Sequence, residues 1–291
     1  MKIVVPFPAG GSIDLLARLL GQWLSERLGQ PFVIENKPGG GTNIAVQTVV
    51  NAAPDGQTFL LCLSTNAINT SLYKSLPFDF PRDIVPVAGL AELPLLLVTN
   101  PDLPAKTVAE FIAYAKANPG KVSMASFGAR TVSHLSIELL KQSTGIDVLH
   151  VPYRGGAPLM TDLISGRVQA GIDAMPNALP HIRSGKARAL AVLPKVRAPV
   201  LPDVPSMSET IPGFEVSTWS GIGAPKGTSP EIVEKLSREI NAGLADATIQ
   251  KRLADVGGIP QPSNPAEFRA RIAADIEKWA KVIKAAGLQP N

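Results

Sequence analysis

Disulfide chemistry is missing from this chain. Among 291 residues there is one cysteine, Cys62, which has no partner for an internal bridge. Set in the apolar stretch 59–63, Cys62 reads as a small buried hydrophobe, and the cysteine count leaves the redox compartment open. Long hydrophobic runs are missing too: no segment approaches the roughly 18 uninterrupted apolar residues that a membrane-spanning helix needs. Charged residues make up 18% and aromatics 5%, and the formal net charge of +4 is spread along the chain instead of gathered in a block. The basic stripe with interleaved aromatics that marks nucleic-acid binding is therefore not there. The mild positive balance serves solubility as readily as it draws in anions.

Signatures of common enzyme chemistry are equally scarce. Gly10-Gly11 and Gly39-Gly40-Gly41 do not fit G-x-G-x-x-G, and no G-x-x-x-x-G-K-[ST] occurs. The histidines His134, His150 and His181 fall on separate predicted elements without metal-ligand spacing. Cys62 lies within a predicted strand with no paired histidine, so no thiol nucleophile is indicated. No catalytic residue, metal or cofactor is expected.

What is present is an alternation of short apolar strands and amphipathic helices. The chain exceeds a typical single domain, and its 45% hydrophobic content is enough for real cores. The opening is the most informative stretch. Ile3-Val4-Val5 reads as a buried strand, Pro6-Phe7-Pro8-Ala9-Gly10-Gly11 breaks it, and Ser12 or Asp14 is placed to cap a helix carrying Ile13, Leu16, Leu20, Trp23 and Leu24 at helical spacing. Such a turn aims unpaired backbone N–H groups at one point, which suits an anion, here a carboxylate. Gly29 is the expected C-terminal stop of that helix.

Further strands are predicted at 32–35, 58–63, 84–90, 95–99, 122–125, 148–151, 170–173 and 189–192, with an extended stretch at 216–224. Helices are predicted at 44–53, 108–118, 132–144, 158–164 and 178–184, after the cap Ser229 with Pro230, and at 266–286, closed by Gly287. Residues 73–83 and 194–205 read as loops. Asn100-Pro101-Asp102-Leu103-Pro104 and Pro225-Lys226-Gly227 read as crossings between two lobes, 1–99 plus 223–291 and 100–222. The fold class is α/β, two lobes each built on a mostly parallel sheet flanked by helices.

Open α/β sheets bind ligands beyond the carboxyl ends of their strands. Four such edges stand out: Pro8 to Ser12, the trio Ser64, Thr65 and Asn66, the loop from Ser126 through Gly128 and Arg130 to Thr131, and the turn from Tyr153 to Gly156. Each alone is also what a tight strand-to-helix connection looks like; together they describe a binding cleft. One exposed helix N-terminus stabilises an anion by about 0.3–1 kcal/mol, whereas micromolar binding needs about 8 kcal/mol, so several turns must act together. His134 either donates to a ligand or holds its loop. Asp173, at a strand end, either accepts from an ammonium or a bridging water or caps the next turn. Arg130 either pairs with a carboxylate or is solvated surface. Asp14 would repel a carboxylate and is assigned to capping or to holding water. Trp219 is assigned to packing.

These residues resemble a known family. The run 3–14, followed by Val33-Ile34-Glu35-Asn36-Lys37-Pro38-Gly39-Gly40-Gly41, Ala53-Pro54-Asp55-Gly56, His150-Val151-Pro152-Tyr153-Arg154-Gly155, Ala178-Leu179-Pro180-His181-Ile182, Leu201-Pro202-Asp203-Val204-Pro205 and Lys278-Trp279, is similar throughout to the Bug (Bordetella uptake gene) or TctC-type solute receptors of tripartite tricarboxylate transporters. The resemblance implies a periplasmic two-lobed (type II, Venus flytrap) binding protein without catalysis, acting as a monomer, that delivers a small carboxylate, a dicarboxylate or aromatic acid above all, to membrane permease subunits. It places one carboxylate on Pro8, Ala9, Gly10 and Gly11 through backbone N–H groups and waters. It places Ser126, Gly128, Thr131 and His134 in the second lobe's loop, and Asp173 at the strand end. Arg130, where the family usually has glycine, and Ala174, where a polar residue is common, depart from the pattern. Met1-Lys2 runs straight into the first strand, which with the resemblance reads as a mature form restarted with methionine. The rival reading is an α/β enzyme acting on an organic acid.

Overall fold

A computed structural model of the chain describes residues 1–216 and 218–285, with Ala285 as backbone alone. Ala286 and Gly287, the expected end of the last helix, lie outside the described residues. The chain forms two units. The first begins with β1 (Lys2–Val5), α1 (Ser12–Leu28), β2 (Val33–Asn36), α2 (Asn43–Val50), β3 (Thr58–Leu63), α3 (Ser64–Leu72), α4 (Phe80–Asp83) and β4 (Ile84–Glu92). The second, Leu93–Thr218 with Ala254–Gly258, contains β5 (Leu95–Thr99), α5 (Val108–Ala117), β6 (Ser123–Ser126), α6 (Val132–Thr144), β7 (Leu149–Pro152), α7 (Gly156–Ile164), β8 (Ala170–Ala174), α8 (Met175–Arg183) and β9 (Arg188–Val192). The chain then returns with β10 (Ser220–Pro225), α9 (Pro230–Ala245), α10 (Ala247–Asp255), β11 (Ile259–Pro260) and α11 (Pro265–Ala285).

The first unit's sheet has the order β11-β4-β10-β3-β1-β2, the second β7-β6-β8-β5-β9. Both are mixed. In the first, β1 runs parallel to β2 and β3, while β10 lies antiparallel between β3 and β4 and the short β11 antiparallel to β4. In the second, β6 is parallel to β7 and β8, and β5 runs against β8 and β9. The odd strands have a common origin. Each is the first strand after the chain changes unit, and a strand entered from the edge where its neighbours end must run against them.

Pairing also moves the crossings. Because β5 bonds to β8 and β9, the chain changes unit at Glu92/Leu93 and not after Thr99; the return falls at Thr218/Trp219, earlier than residue 223. Asn100-Pro101 is a turn inside the second unit, where Asn100 Nδ2 donates to the Leu163 carbonyl at 2.9 Å.

Strand periodicity sorts the first unit's core onto the two faces of its sheet. Ile3, Val5, Phe59 and Leu61 join one cluster with Leu16, Leu20 and Leu24 of α1, whereas Val4, Leu60 and Cys62 join another with Trp219, Phe268 and Ile272. All of β3 is buried, as a strand covered on both faces should be. Each fully buried large side chain contributes about 1.5–3 kcal/mol. Trp219 packs edge-on against Phe268 at 5.3 Å and donates from Nε1 to Asp275 Oδ2 at 2.7 Å. No helix among the described residues is long and apolar enough to cross a membrane.

Candidate functional site

The helices divide by how they begin. Where a helix follows a strand of the common direction, the residue before its first turn makes no side-chain cap bond. This holds for α1 (Gly11), α2 (Thr42), α3 (Leu63), α6 (Thr131), α7 (Gly155) and α8 (Ala174). Elsewhere the cap is made by a side chain: Asp79 for α4, Thr107 for α5, Ser229 for α9, Asp246 for α10 and Asn264 for α11. First-turn amides have no acceptor within their own helix. In each unit the uncapped starts gather at the carboxyl edge of the sheet, where the dipoles favour negative charge. Main-chain carbonyls take some of these amides: Ser64 N donates to the Trp219 carbonyl and Met175 N to that of Pro94.

In the first unit, the turn 6–11 is fixed from beneath by Asp14. Its side chain is 2% exposed, and Oδ2 accepts from Gly10 N and Arg18 Nε, while Oδ1 accepts from Arg18 Nη2 and Asn36 Nδ2. Asn36 Nδ2 also donates to the Phe7 carbonyl at 2.9 Å. Burial pushes this carboxyl up, but the bonds from Arg18, Gly10 and Asn36 outweigh it and hold Asp14 below its ordinary value. The expected cap by Ser12 or Asp14 is not formed: the helix starts behind Gly11 with no side-chain cap, both residues lie in its first turn, and Asp14 reaches back to hold the preceding turn instead. The Gly10 N–H is taken by Asp14 and Pro8 has none, so of the residues 8–11 expected to present amides to a carboxylate these two do not. Ala9 and Gly10 are exposed, and Phe7, Pro8 and Gly11 half-buried.

Ser64, Thr65 and Asn66, at the neighbouring strand end, are the first turn of α3, each 2% exposed. They face the protein. Ser64 Oγ accepts from Trp219 N, Asn66 Oδ1 accepts from Leu63 N at 2.7 Å, and Asn66 Nδ2 donates to Thr42 Oγ1 at 2.8 Å. That last bond holds Thr42, a β-branched residue at φ 83°, in the left-handed region.

In the second unit, the loop after β6 is tied by its own hydroxyls. Ser126 Oγ donates to the Gly128 carbonyl or to His150 Nε2, and Thr131 Oγ1 donates to the Gly128 carbonyl at 2.8 Å. Both side chains are buried. His134 holds the loop: its Nδ1 accepts from Arg130 N at 3.0 Å. Its ring lies on that of His150, with centroids 3.9 Å apart and planes 6° off parallel. Arg130 has φ 62°, in the left-handed region where glycine is at home. Tyr153 donates its hydroxyl to Asp162 at 2.8 Å.

Asp173 takes the second of its two expected roles, fixing the next turn. Wholly buried, its Oδ1 accepts from Ala174 N at 2.7 Å and Asn177 Nδ2 at 3.0 Å, which fixes the turn into α8. Its Oδ2 has no hydrogen-bond partner among the described residues. Burial pushes this carboxyl up to about 7, against the lowering effect of those two bonds. Gly156, which opens α7, lies so close that a Cβ there would press on the Asn177 side chain and come within 2.7 Å of Asp173 Oδ1. His150 and Asn36 were not singled out from sequence; a polar residue on a strand leading into the site was the available sign.

Residues 16–288 match the family described as "Tripartite tricarboxylate transporter family receptor" (TctC). The chain belongs to this TctC receptor family. It is 40% identical to Protein BugT of Bordetella pertussis over 290 residues, covering 99% of this chain and 89% of that protein. It superposes on R. palustris Rpa4515 with adipate at TM-score 0.97 and 37% identity, covering 100% and 98% of the two chains. MatC from Rhodopseudomonas palustris, with bound malate, matches at TM-score 0.92 and 34% identity over 97% and 98%. The TctC relatives are solute-binding receptors, and this chain has their fold.

Proposed function

We propose that this chain is a periplasmic receptor for a small dicarboxylate or aromatic acid, captured by its sheet-edge loops and handed to the permease subunits of a tripartite tricarboxylate-type transporter, without catalysis. The observation that carries the reading is the set of helix starts at the sheet edges that lack side-chain caps, while the helices elsewhere have them. Relatives with bound adipate and malate support the ligand class. One carboxylate sits on the turn 6–11. In the second unit the carboxylate-binding groups are the 126–131 loop, with Arg130, and Asp173 through its second oxygen, directly or through water.

Calorimetry and thermal shift across mono-, di- and tricarboxylates, aromatic acids and amino acids test this. Saturable binding of one acid class, with the acid recovered unchanged, is the expected result. Binding confined to non-carboxylate solutes, or consumption of the acid, would overturn the reading. Loss of uptake of that acid on deletion of the gene, restored by the chain together with the permease subunits, tests delivery.

A further inference from the structure

The two imidazoles beneath the 126–131 loop touch both of its ends. Ser126, where the loop begins, has its Oγ 2.7 Å from His150 Nε2. Arg130, near where it finishes, gives its N–H to His134 Nδ1 at 3.0 Å. The rings lie face to face at 3.9 Å and are half-buried. One ring sits on α6 and the other on the edge strand β7, so the stack also clamps helix to sheet. We propose that His134 and His150 are a paired positioning element that holds this loop in its anion-ready form only while both rings are uncharged, so that acidification loosens the loop and weakens ligand capture. This rests on the receptor reading above.

The geometry sets the direction. His134 Nδ1 must stay unprotonated to accept from Arg130 N; a proton there turns acceptor into donor and sets two N–H groups against each other. Arg130 is in the left-handed region, and that bond helps to hold it there. A proton on either ring also places a cation against its stacked neighbour. Glu138 Oε1 lies 3.8 Å from His134 Nε2, and Lys141 is bound to Glu138 at 3.1 Å. Arg130 adds a further positive charge. Asp173, on β8, is engaged with Ala174 and Asn177.

Burial first, then the facing His134 and Lys141, press His150 down to about 4. Burial also lowers His134, with Glu138 opposing and Lys141 and Arg130 assisting. The folded loop therefore favours neutral rings. That stabilisation is complete above the ordinary histidine value of 6.5 and fades as the pH falls from there toward about 4.

The test is an NMR titration of the full chain from about pH 7.5 to about pH 4.5, reading the Arg130 amide and both imidazoles. The Arg130 amide is expected to lose its hydrogen-bonded shift and exchange faster along with His134, and His134→Gln should raise the His150 midpoint above about 4. An Arg130 amide indifferent to pH, or a His150 midpoint unmoved in His134→Gln, would overturn the pairing. Calorimetry with adipate forms the second arm, comparing wild type with His134→Gln at each pH so that protonation of adipate cancels. Wild type should lose about 5- to 10-fold more affinity on acidification, the weight of roughly one hydrogen bond. A relative gain in affinity would overturn the neutral-only claim. Should adipate not bind at neutral pH, the ligand class fails, while the NMR arm still decides the pairing.

Discussion

Asp14 takes the Gly10 amide, with Oδ2 2.9 Å from the nitrogen, and so closes the N-terminal turn from inside. The acid is a buried hub whose two oxygens accept four hydrogen bonds, and the glycine owes its position to it.

Asp14→Asn should destabilise the chain by about 2–3 kcal/mol in urea unfolding, because it replaces a carboxylate with a group that cannot accept at all four places. The wild-type carboxyl binds a proton less tightly folded than unfolded. Its contribution is therefore full above the ordinary value of 3.8 and disappears as the pH falls through the lowered value. The variant should show a flatter acid limb; an unchanged acid limb would contradict the hub.

Gly10→Val and Gly10→Ala separate space from conformation. A Cβ at Gly10 meets nothing within 4 Å, but its φ is 86°. Both variants should fold, losing about 1–2 kcal/mol, with valine the worse. Affinity for the bound acid should fall in the same order. Calorimetry showing unchanged affinity in Gly10→Val would remove the turn from the site.

Arg130→Gly should leave stability unchanged or raise it by about 0.5 kcal/mol, since relief of the left-handed strain is offset by a freer unfolded chain. Arg130→Ala should weaken dicarboxylates more than monocarboxylates. Equal losses in calorimetry for the two classes would show that the guanidinium does not meet a second carboxylate.

Asp173 runs opposite to Asp14. Its folded value of about 7 exceeds the unfolded 3.8, so its stabilising share is present below 3.8 and is lost as the pH rises through about 7. Asp173→Asn should remove that decline, visible as a flatter dependence of the melting temperature between about pH 5 and about pH 8. Gly156→Ala should displace the Asn177 amide from Asp173 and cost about 1–3 kcal/mol.

Much of this was legible because it is local. The strand Thr58–Leu63 and the helix Val132–Thr144 stand where the sequence predicts them, each an unambiguous pattern bounded by polar or glycine residues. The helix Ser64–Leu72 was missed because its buried first turn is polar: Ser64, Thr65 and Asn66 are inside on hydrogen bonds, not on hydrophobicity. The short elements α10 and β11 were missed as well. The reversed direction of β5 and β10, and with it the crossing at Glu92, depends on partners far along the chain. At the site, the glycine turns were visible in sequence. The inward turn of Ser126 and Thr131, the commitment of Tyr153 to Asp162 and the stacking of His150 on His134 arise only when separate strands are brought side by side.

The register of β4 against β10 puts Ala91 opposite Ser220, one residue from each crossing point. Two adjacent antiparallel strands whose ends meet this closely are what a tight two-residue hairpin would join. The second unit is in effect a domain inserted at that hairpin. A shortened gene that bridges Glu92 to Trp219 with Asn-Gly would keep every strand of the six-stranded sheet.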